Sequence, residues 1–118
     1  MSESILTSVK KALMGVTEDY EAFDDQLILH INGTFSTLNQ LGVGPESGYM
    51  ISSDEETWSD YLGENENLLA FVKPYMVNKV KLAFDPPSSS FVLNSLEKQT
   101  EELTWRIRVM VDSINNTN

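Results

Sequence analysis

The chain has 118 residues, of which 41% are hydrophobic, and its 18 acidic against 8 basic side chains give a net charge of −10. With no cysteine and a single histidine, the sequence excludes a disulfide framework, a thiolate nucleophile or zinc site, and a histidine-rich metal cluster within one chain. The strong negative charge argues against an ordinary nucleic-acid binder, because affinity for the phosphate backbone needs clustered Lys and Arg.

The negative charge is concentrated in one part of the chain. Residues 12–72 contain no Lys or Arg and carry a net charge of −12, whereas the remaining residues sum to +2. This distribution is typical of a well-solvated surface, and it also suits a face that repels a negative partner or meets a positive one.

The N-terminal sequence lacks a basic stretch followed by an apolar run, so we expect no signal peptide. No segment approaches the roughly 18 apolar residues of a membrane span.

The first predicted element is a short helix over residues 4–14. Ile5, Val9 and Leu13 recur at every fourth position, and Gly15 lies where a glycine commonly ends a helix. A single apolar stripe of this length is not stable alone, so we expect the helix to dock on another element.

Residues 20–41 fit either a helix or a β-hairpin. Apolar residues keep helical spacing over four turns, with Thr17 as a candidate cap and Gly42 at the end. Asn32-Gly33 is a strong hairpin signal, but the residues after it lack the alternation of a strand. We therefore expect a helix, in which Gly33 costs about 1 kcal/mol relative to Ala and allows a neighbouring element to approach closely.

Residues 42–63 are predicted to be mostly loop. Three glycines and a proline within 42–48 indicate a loop, but its G-x-G pattern lacks the strand, helix and Lys of a phosphate-binding loop. Residues 49–52 are a candidate for a short extended segment. Ser53 and the acidic residues after it predict the cap and first turn of a small helix that runs to Gly63.

Two longer helices are predicted in the second half of the chain. An apolar stripe runs from Asn67 to Ala83, where Pro74 either begins the regular helix or kinks it, and Pro86-Pro87 ends it. The last helix starts near 88–90 and has roughly 25 residues, so it would span about 37 Å, longer than a domain of this size requires. Its apolar face contains Val92, Leu96, Leu103, Ile107, Met110 or Val111, and Ile114.

The predicted fold is therefore a mainly α-helical single domain over residues 1–118. We expect a small bundle of four to five helices with a long C-terminal helix and a frayed polar tail at 115–118. An over-long helix with an apolar stripe usually contacts a partner outside its own domain.

The sequence contains few groups that could carry out chemistry. His30, with Asp24 and Asp25 nearby, is the one plausible general base, and its position between apolar residues favours a structural role. The paired acids at 24–25 and 54–56 lack the spacing and glycine of an EF-hand loop. We expect no enzyme activity, no bound metal and no cofactor.

The segment Trp105-Arg106-Ile107-Arg108 is the strongest basic group in the acidic chain. Trp and Arg are enriched at interface hot spots, so the segment is a candidate partner surface on the long last helix. Ordinary packing with solvated arginines is the alternative.

Four stretches occur in a characteristic order, at residues 5–13, 37–45, 82–93 and 101–106. The most specific part is Phe84-Asp85-Pro86-Pro87 followed by Ser-Phe-Val, with Glu-x-x-Trp-Arg downstream. This pattern, over nearly the whole chain, resembles the head–tail connector proteins of long-tailed bacteriophages, also called adaptor or head-completion proteins.

The resemblance implies a structural virion protein without catalytic activity, made in the host cytoplasm and located in the neck between head and tail. Such proteins form a ring of about a dozen copies under the portal protein. They extend a DNA channel without binding DNA specifically, and they dock the next neck or tail completion protein. Because rings of this kind can form only on their platform, the isolated subunit is expected to be a monomer, and no membrane contact is implied.

Given this resemblance, two groups of residues are candidate sites. Portal or subunit contacts are expected at Phe84, Asp85, Pro86, Pro87, Trp105, Arg106 and Arg108. Acidic groups that face DNA in the channel are expected at Asp54, Glu55, Glu56 and Asp60. The alternative function is a small acidic interaction protein that mimics DNA and inhibits a DNA-binding protein.

Overall fold

The structure, a computed structural model, describes residues 3–14 and 21–115 of the chain. Its helices are α1 Ile5–Met14, α2 Asp24–Gln40, α3 Trp58–Leu62, α4 Glu66–Phe84 and α5 Ser90–Asn115. These ranges contain no strand, and the one β-type pairing in them is an isolated antiparallel bridge between Ser4 and Thr57. The mainly α-helical fold with a long C-terminal helix is confirmed. The expected caps at Gly15 and Thr17 and most of the expected tail, 116–118, lie outside the described residues.

Helix α4 lies at the centre of the fold, where it contacts α1, α2 and α5. Apolar side chains from all five helices and from the loop between α2 and α3 form one core. The buried members are Ile5, Leu6, Val9, Leu27, Ile31, Phe35, Leu38, Val43, Ile51, Trp58, Tyr61, Leu68, Val72, Tyr75, Met76, Val80, Ile107 and Val111. The short α1 therefore docks as expected, because Ile5 and Val9 of its apolar stripe are buried and Leu13 is half-buried.

Polar contacts also fix α1 in place. The side chain of Lys10 is 3% exposed, and its Nζ lies 3.0 Å from Oδ1 of Asp24 at the start of α2. The indole N–H of buried Trp58 donates to the Ser8 hydroxyl at 2.9 Å. A buried charge is tolerated when it is paired, so the Lys10–Asp24 pair links the middle of α1 to the start of α2.

Helix α2 is continuous through Gly33, so the alternative β-hairpin at Asn32-Gly33 is wrong. Burial of Leu27, Ile31 and Phe35 on one helical face decides between the two. The expected close approach at Gly33 is also wrong, because a Cβ added there would meet nothing within 4 Å. Gly33 is simply an exposed helical glycine.

The close approaches occur instead at two glycines after α2. Gly42 (φ +90°) and Gly44 (φ +83°) both adopt the left-handed backbone region that favours glycine. A Cβ at Gly42 would lie 2.9 Å from Cγ1 of Val111, and one at Gly44 would lie 2.5 Å from Cε1 of Tyr61. The G-x-G pattern thus packs the loop tightly on α3 and α5.

Residues 49–57 differ from the sequence prediction in two ways. Residues 49–52 form no strand, because the backbone of Ile51 pairs with the Asn32 side chain rather than with another strand. Helix α3 begins at Trp58 rather than at 53, and its cap is Thr57. The Thr57 hydroxyl accepts from the Asp60 N–H at 3.2 Å, and the Asp60 carboxylate accepts from the Thr57 N–H at 2.9 Å. This reciprocal capping box is a stronger start signal than the acidic run before it.

Helices α4 and α5 form a hairpin joined by residues 85–89. Pro74 lies well inside α4, so the interpretation that it begins the regular helix is wrong; the Asn65 side chain caps α4 at Leu68 N. The predicted stop before Pro86 is confirmed, since α4 ends at Phe84. Helix α5 has 26 residues and is about 39 Å long. Its buried residues are Thr100, Ile107 and Val111, so no side chain of α5 before Thr100 is buried.

Candidate interaction surfaces

A groove of about 550 Å³ lies between the start of α4 and the C-terminal half of α5. We call it the α4/α5 groove; its lining includes Phe71, Trp105, Arg106, Val109, Met110 and Ile114. Trp105 is 61% exposed, and Val109 and Ile114 are each 47% exposed. Exposed apolar patches with a polar rim are typical of protein interaction sites, so the groove is the most distinctive surface for a partner.

The predicted basic segment 105–108 is divided between two flanks of α5. Trp105 and Arg106 line the α4/α5 groove, and Nε of Arg106 lies 2.9 Å from Oε2 of Glu102, one helical turn away. Arg108 is exposed on the other flank, where its charge acts on Tyr75. Burial raises the pKa of the Tyr75 hydroxyl, and the Thr104 hydrogen bond and the Arg108 charge oppose that rise. The structure therefore brings Trp105 and Arg106 together, with Arg108 apart from them.

The corner at 84–87 is only partly available to a partner. Phe84 is half-buried and packs edge-on against Phe23, with ring centroids 5.4 Å apart, and against His30 at 6.3 Å. Asp85 is exposed and pairs with Lys81, Pro86 is exposed, and Pro87 is half-buried. The contact with Phe84 gives His30 a structural role on the flank of α2.

The four predicted channel acids lie in or beside the loop before α3, and they fall into two classes. Asp54 and Glu55 are exposed, whereas the carboxylates of Glu56 and Asp60 bind backbone N–H groups. Partial desolvation of Glu56 opposes its charge, but hydrogen bonds from Ser52 and Ser53 together outweigh it and lower the pKa of the Glu56 carboxyl. Asp54 and Glu55 are therefore the acids without a structural role in this loop.

Beside this loop lies a second groove, of about 580 Å³, that is lined by acidic side chains. Asp54 shares its wall with Glu21, Asp24 and Asp25, over a floor that includes Leu6 and Ile28. Within residues 3–14 and 21–115, no three His, Asp or Glu side chains are placed to hold a metal ion together.

The model of the phage connector protein family matches residues 5–113, almost the whole chain. The chain belongs to the phage connector protein family. Neither the curated proteins nor the solved structures contain a match to this connector. Membership confirms the resemblance drawn from the sequence, and it makes the connector a structural phage protein that is associated with the virion and contacts other head or tail proteins.

Several exposed apolar residues of the connector are not among the sequence-predicted sites. Phe91 is 80% exposed at the start of α5, next to Val92, which is 49% exposed. Val92 and Ile114 lie on the apolar face predicted for the last helix, and each is about half exposed. The signal that could have found Phe91 is its place in the first turn of α5, two residues after Ser89 and next to Val92. Among the described helices, none is long and apolar enough to cross a membrane.

Proposed function

We propose that this connector is an adaptor subunit of the virion neck that joins the portal to the next neck or tail component and has no catalytic activity of its own. The observation that carries the proposal is the exposed apolar surface of the α4/α5 groove, around Trp105, Val109 and Ile114. A connector that contacts other virion proteins needs such a surface, and an isolated domain would normally cover it.

The ring and the channel are part of the same proposal. About a dozen copies made in the host cytoplasm would assemble below the portal and extend the DNA channel. Asp54 and Glu55 are the groups that we propose face the passing DNA, because their exposed carboxylates repel phosphate and make no contact that the loop requires. This repulsion would keep DNA from binding to the channel wall as it passes.

Light scattering after size-exclusion chromatography tests the portal contact. Connector mixed with its own phage's portal should give a species heavier than the portal ring alone, and Trp105→Ala should weaken it. Leu29→Ala is the matched control, because Leu29 is 69% exposed on α2 and outside the groove. A mixture that elutes as two unchanged species would contradict the portal contact. Binding to a basic DNA-binding enzyme with steep salt dependence would favour the DNA-mimic alternative instead.

Two genetic tests address the role in the virion. Deleting the connector gene should give DNA-filled heads without tails, and joined, infectious particles would refute the adaptor role.

Combined Asp54→Lys and Glu55→Lys should slow DNA ejection. A charge-matched control combines Glu46→Lys and Glu64→Lys, two exposed acids that lie outside the acidic groove beside Asp54. Equal slowing by both pairs would mean that total charge, and not a channel position, sets the rate.

A further inference from the structure

One face of α5 carries apolar residues at both ends with a charged centre. Phe91 and Val109 are 18 residues apart, which is five full turns at 3.6 residues per turn, so they project from the same face about 27 Å apart. Lys98 and Glu102 lie between them near that face, on the side opposite buried Thr100 and Ile107. Phe91 projects, whereas Val109 belongs to the α4/α5 groove.

We propose that this face binds a second copy of the chain in antiparallel orientation, so that Phe91 of each copy enters the α4/α5 groove of the other. Reversing α5 about the level of residue 100 places Phe91 opposite Val109 and Lys98 opposite Glu102. The same reversal places Arg106 opposite Asn94, so no two like charges on the face meet. A two-fold interface needs this kind of self-complementary pattern.

The charges at the centre of the face favour a second copy as the occupant. Lys98 is exposed and forms no ion pair with any described residue, although Glu101 and Glu102 follow it closely in sequence. In the antiparallel pair, each Lys98 meets Glu102 of the other copy, which gives two charge contacts across the two-fold axis. Residues 12–72 carry a net charge of −12 without any Lys or Arg, so contacts between copies through that part of the chain would repel.

The exposed apolar area on this face is sufficient for a specific dimer of low affinity. Phe91 on this face and the groove residues Trp105, Val109 and Ile114 keep about half or more of their surface in solvent. With about 150–250 Å² for each fully exposed aromatic side chain and less for Val and Ile, two copies would bury about 900–1,000 Å² of apolar surface. With the polar rim, this reaches the lower range of specific interfaces, about 1,200 Å².

The inference departs from the expectation that the isolated subunit is a monomer, and it does not depend on the portal. Because the dimer would cover Trp105 and Arg106, dimerisation and assembly through the α4/α5 groove would exclude each other. Only that consequence rests on the proposed function.

Cross-linking in the cysteine-free chain tests the orientation. Phe91→Cys and Val109→Cys proteins are mixed at high concentration and treated with a bis-maleimide too short to bridge 27 Å. We expect a cross-linked dimer in the mixture and little product from either variant alone. Leu29→Cys mixed with Val109→Cys is the control for random collision. Efficient linking within Phe91→Cys alone, or equal linking in the control mixture, would overturn the antiparallel arrangement.

Sedimentation equilibrium tests the charge contact on the unlinked protein. Lys98→Glu replaces both cross-dimer attractions with repulsions and should raise the dimer dissociation constant about tenfold. Lys11→Glu makes the same charge change at an exposed position of α1 and should leave it unchanged within about twofold. A wild-type protein that stays monomeric at millimolar concentration, or equal effects of the two variants, would refute the dimer, whatever the outcome of the portal experiment.

Discussion

The Asn32 side chain holds the backbone of Ile51 at both of its polar groups. Nδ2 of Asn32 donates to the Ile51 carbonyl at 3.0 Å, and the Ile51 N–H donates to Oδ1 of Asn32 at 2.8 Å. The two residues are 19 positions apart, and Ile51 is 3% exposed. The Asn32 side-chain amide therefore satisfies both backbone groups of Ile51, as a neighbouring strand would. It thereby holds in place the loop that carries Asp54 and Glu55.

Replacing Asn32 with Ala should lower the free energy of unfolding by about 2–3 kcal/mol, because the buried N–H and C=O of Ile51 lose their partners. Asn94→Ala is the control, since Asn94 is an exposed helical asparagine and should change stability by less than about 0.5 kcal/mol. Urea denaturation followed by circular dichroism measures both. A similar small effect of the two substitutions would show that Asn32 does not hold the loop.

Two glycines should respond to alanine in opposite directions. Gly33→Ala should raise the free energy of unfolding by about 1 kcal/mol and the melting temperature by about 4 °C, because Gly33 is helical and its Cβ position is open. Gly44→Ala should lower it by at least about 2 kcal/mol, since φ is +83° and the new Cβ would lie 2.5 Å from the Tyr61 ring. Thermal melts of the two variants measure both changes in stability. A fall in the melting temperature of Gly33→Ala would contradict the open Cβ position at Gly33.

The helices could be predicted from the sequence because local spacing specifies them. In α2 the burial of Leu27, Ile31 and Phe35 follows directly from their spacing, and it outweighs a strong turn signal at Asn32-Gly33. The role of Asn32 could not be predicted, because its partner Ile51 is distant in sequence and lies in a loop. The same holds for Gly44, whose need for glycine arises from the Tyr61 ring packed against it.

The residues of the α4/α5 groove could be predicted only in part from the sequence. Trp105 and Arg106 were predicted as a partner surface because their composition is typical of hot spots, and both line the groove. The exposure of Phe91 and Val109 was not predicted, because neither belongs to the apolar stripe that the spacing of the last helix defines. Only the packing of α5 on α4 shows that they lie on its uncovered face.

The Glu56 carboxylate should make the loop sensitive to acid. Its pKa in the folded protein lies below the ordinary value of 4.5, so its contribution to stability is present above that pH and is lost as the pH falls through the lowered pKa. Because the group is largely solvated, the contribution is about 0.5–1 kcal/mol at most. Hydrogen exchange at the Ser52 and Ser53 amides, which donate to this carboxylate, should speed up on acidification beyond the intrinsic rate.

Glu56→Gln should remove most of this pH dependence, whereas Glu55→Gln, an exposed neighbour, should keep it. An unchanged acid response in Glu56→Gln would mean that another group controls the loop.

The two tryptophans should separate folding from assembly. Trp58 is 1% exposed and donates to Ser8, so Trp58→Ala should cost about 3–5 kcal/mol, and Trp58→Phe, which loses chiefly the hydrogen bond, about 1–3 kcal/mol. Trp105→Ala should cost less than about 1 kcal/mol, because most of the ring is already in solvent. Chemical denaturation gives the stabilities, and binding of each folded variant to the portal or to a second copy gives the assembly effect.

We expect Trp58→Phe to bind normally and Trp105→Ala to bind weakly, because only Trp105 contributes surface to a partner. Normal binding by Trp105→Ala would remove the α4/α5 groove from the assembly contacts.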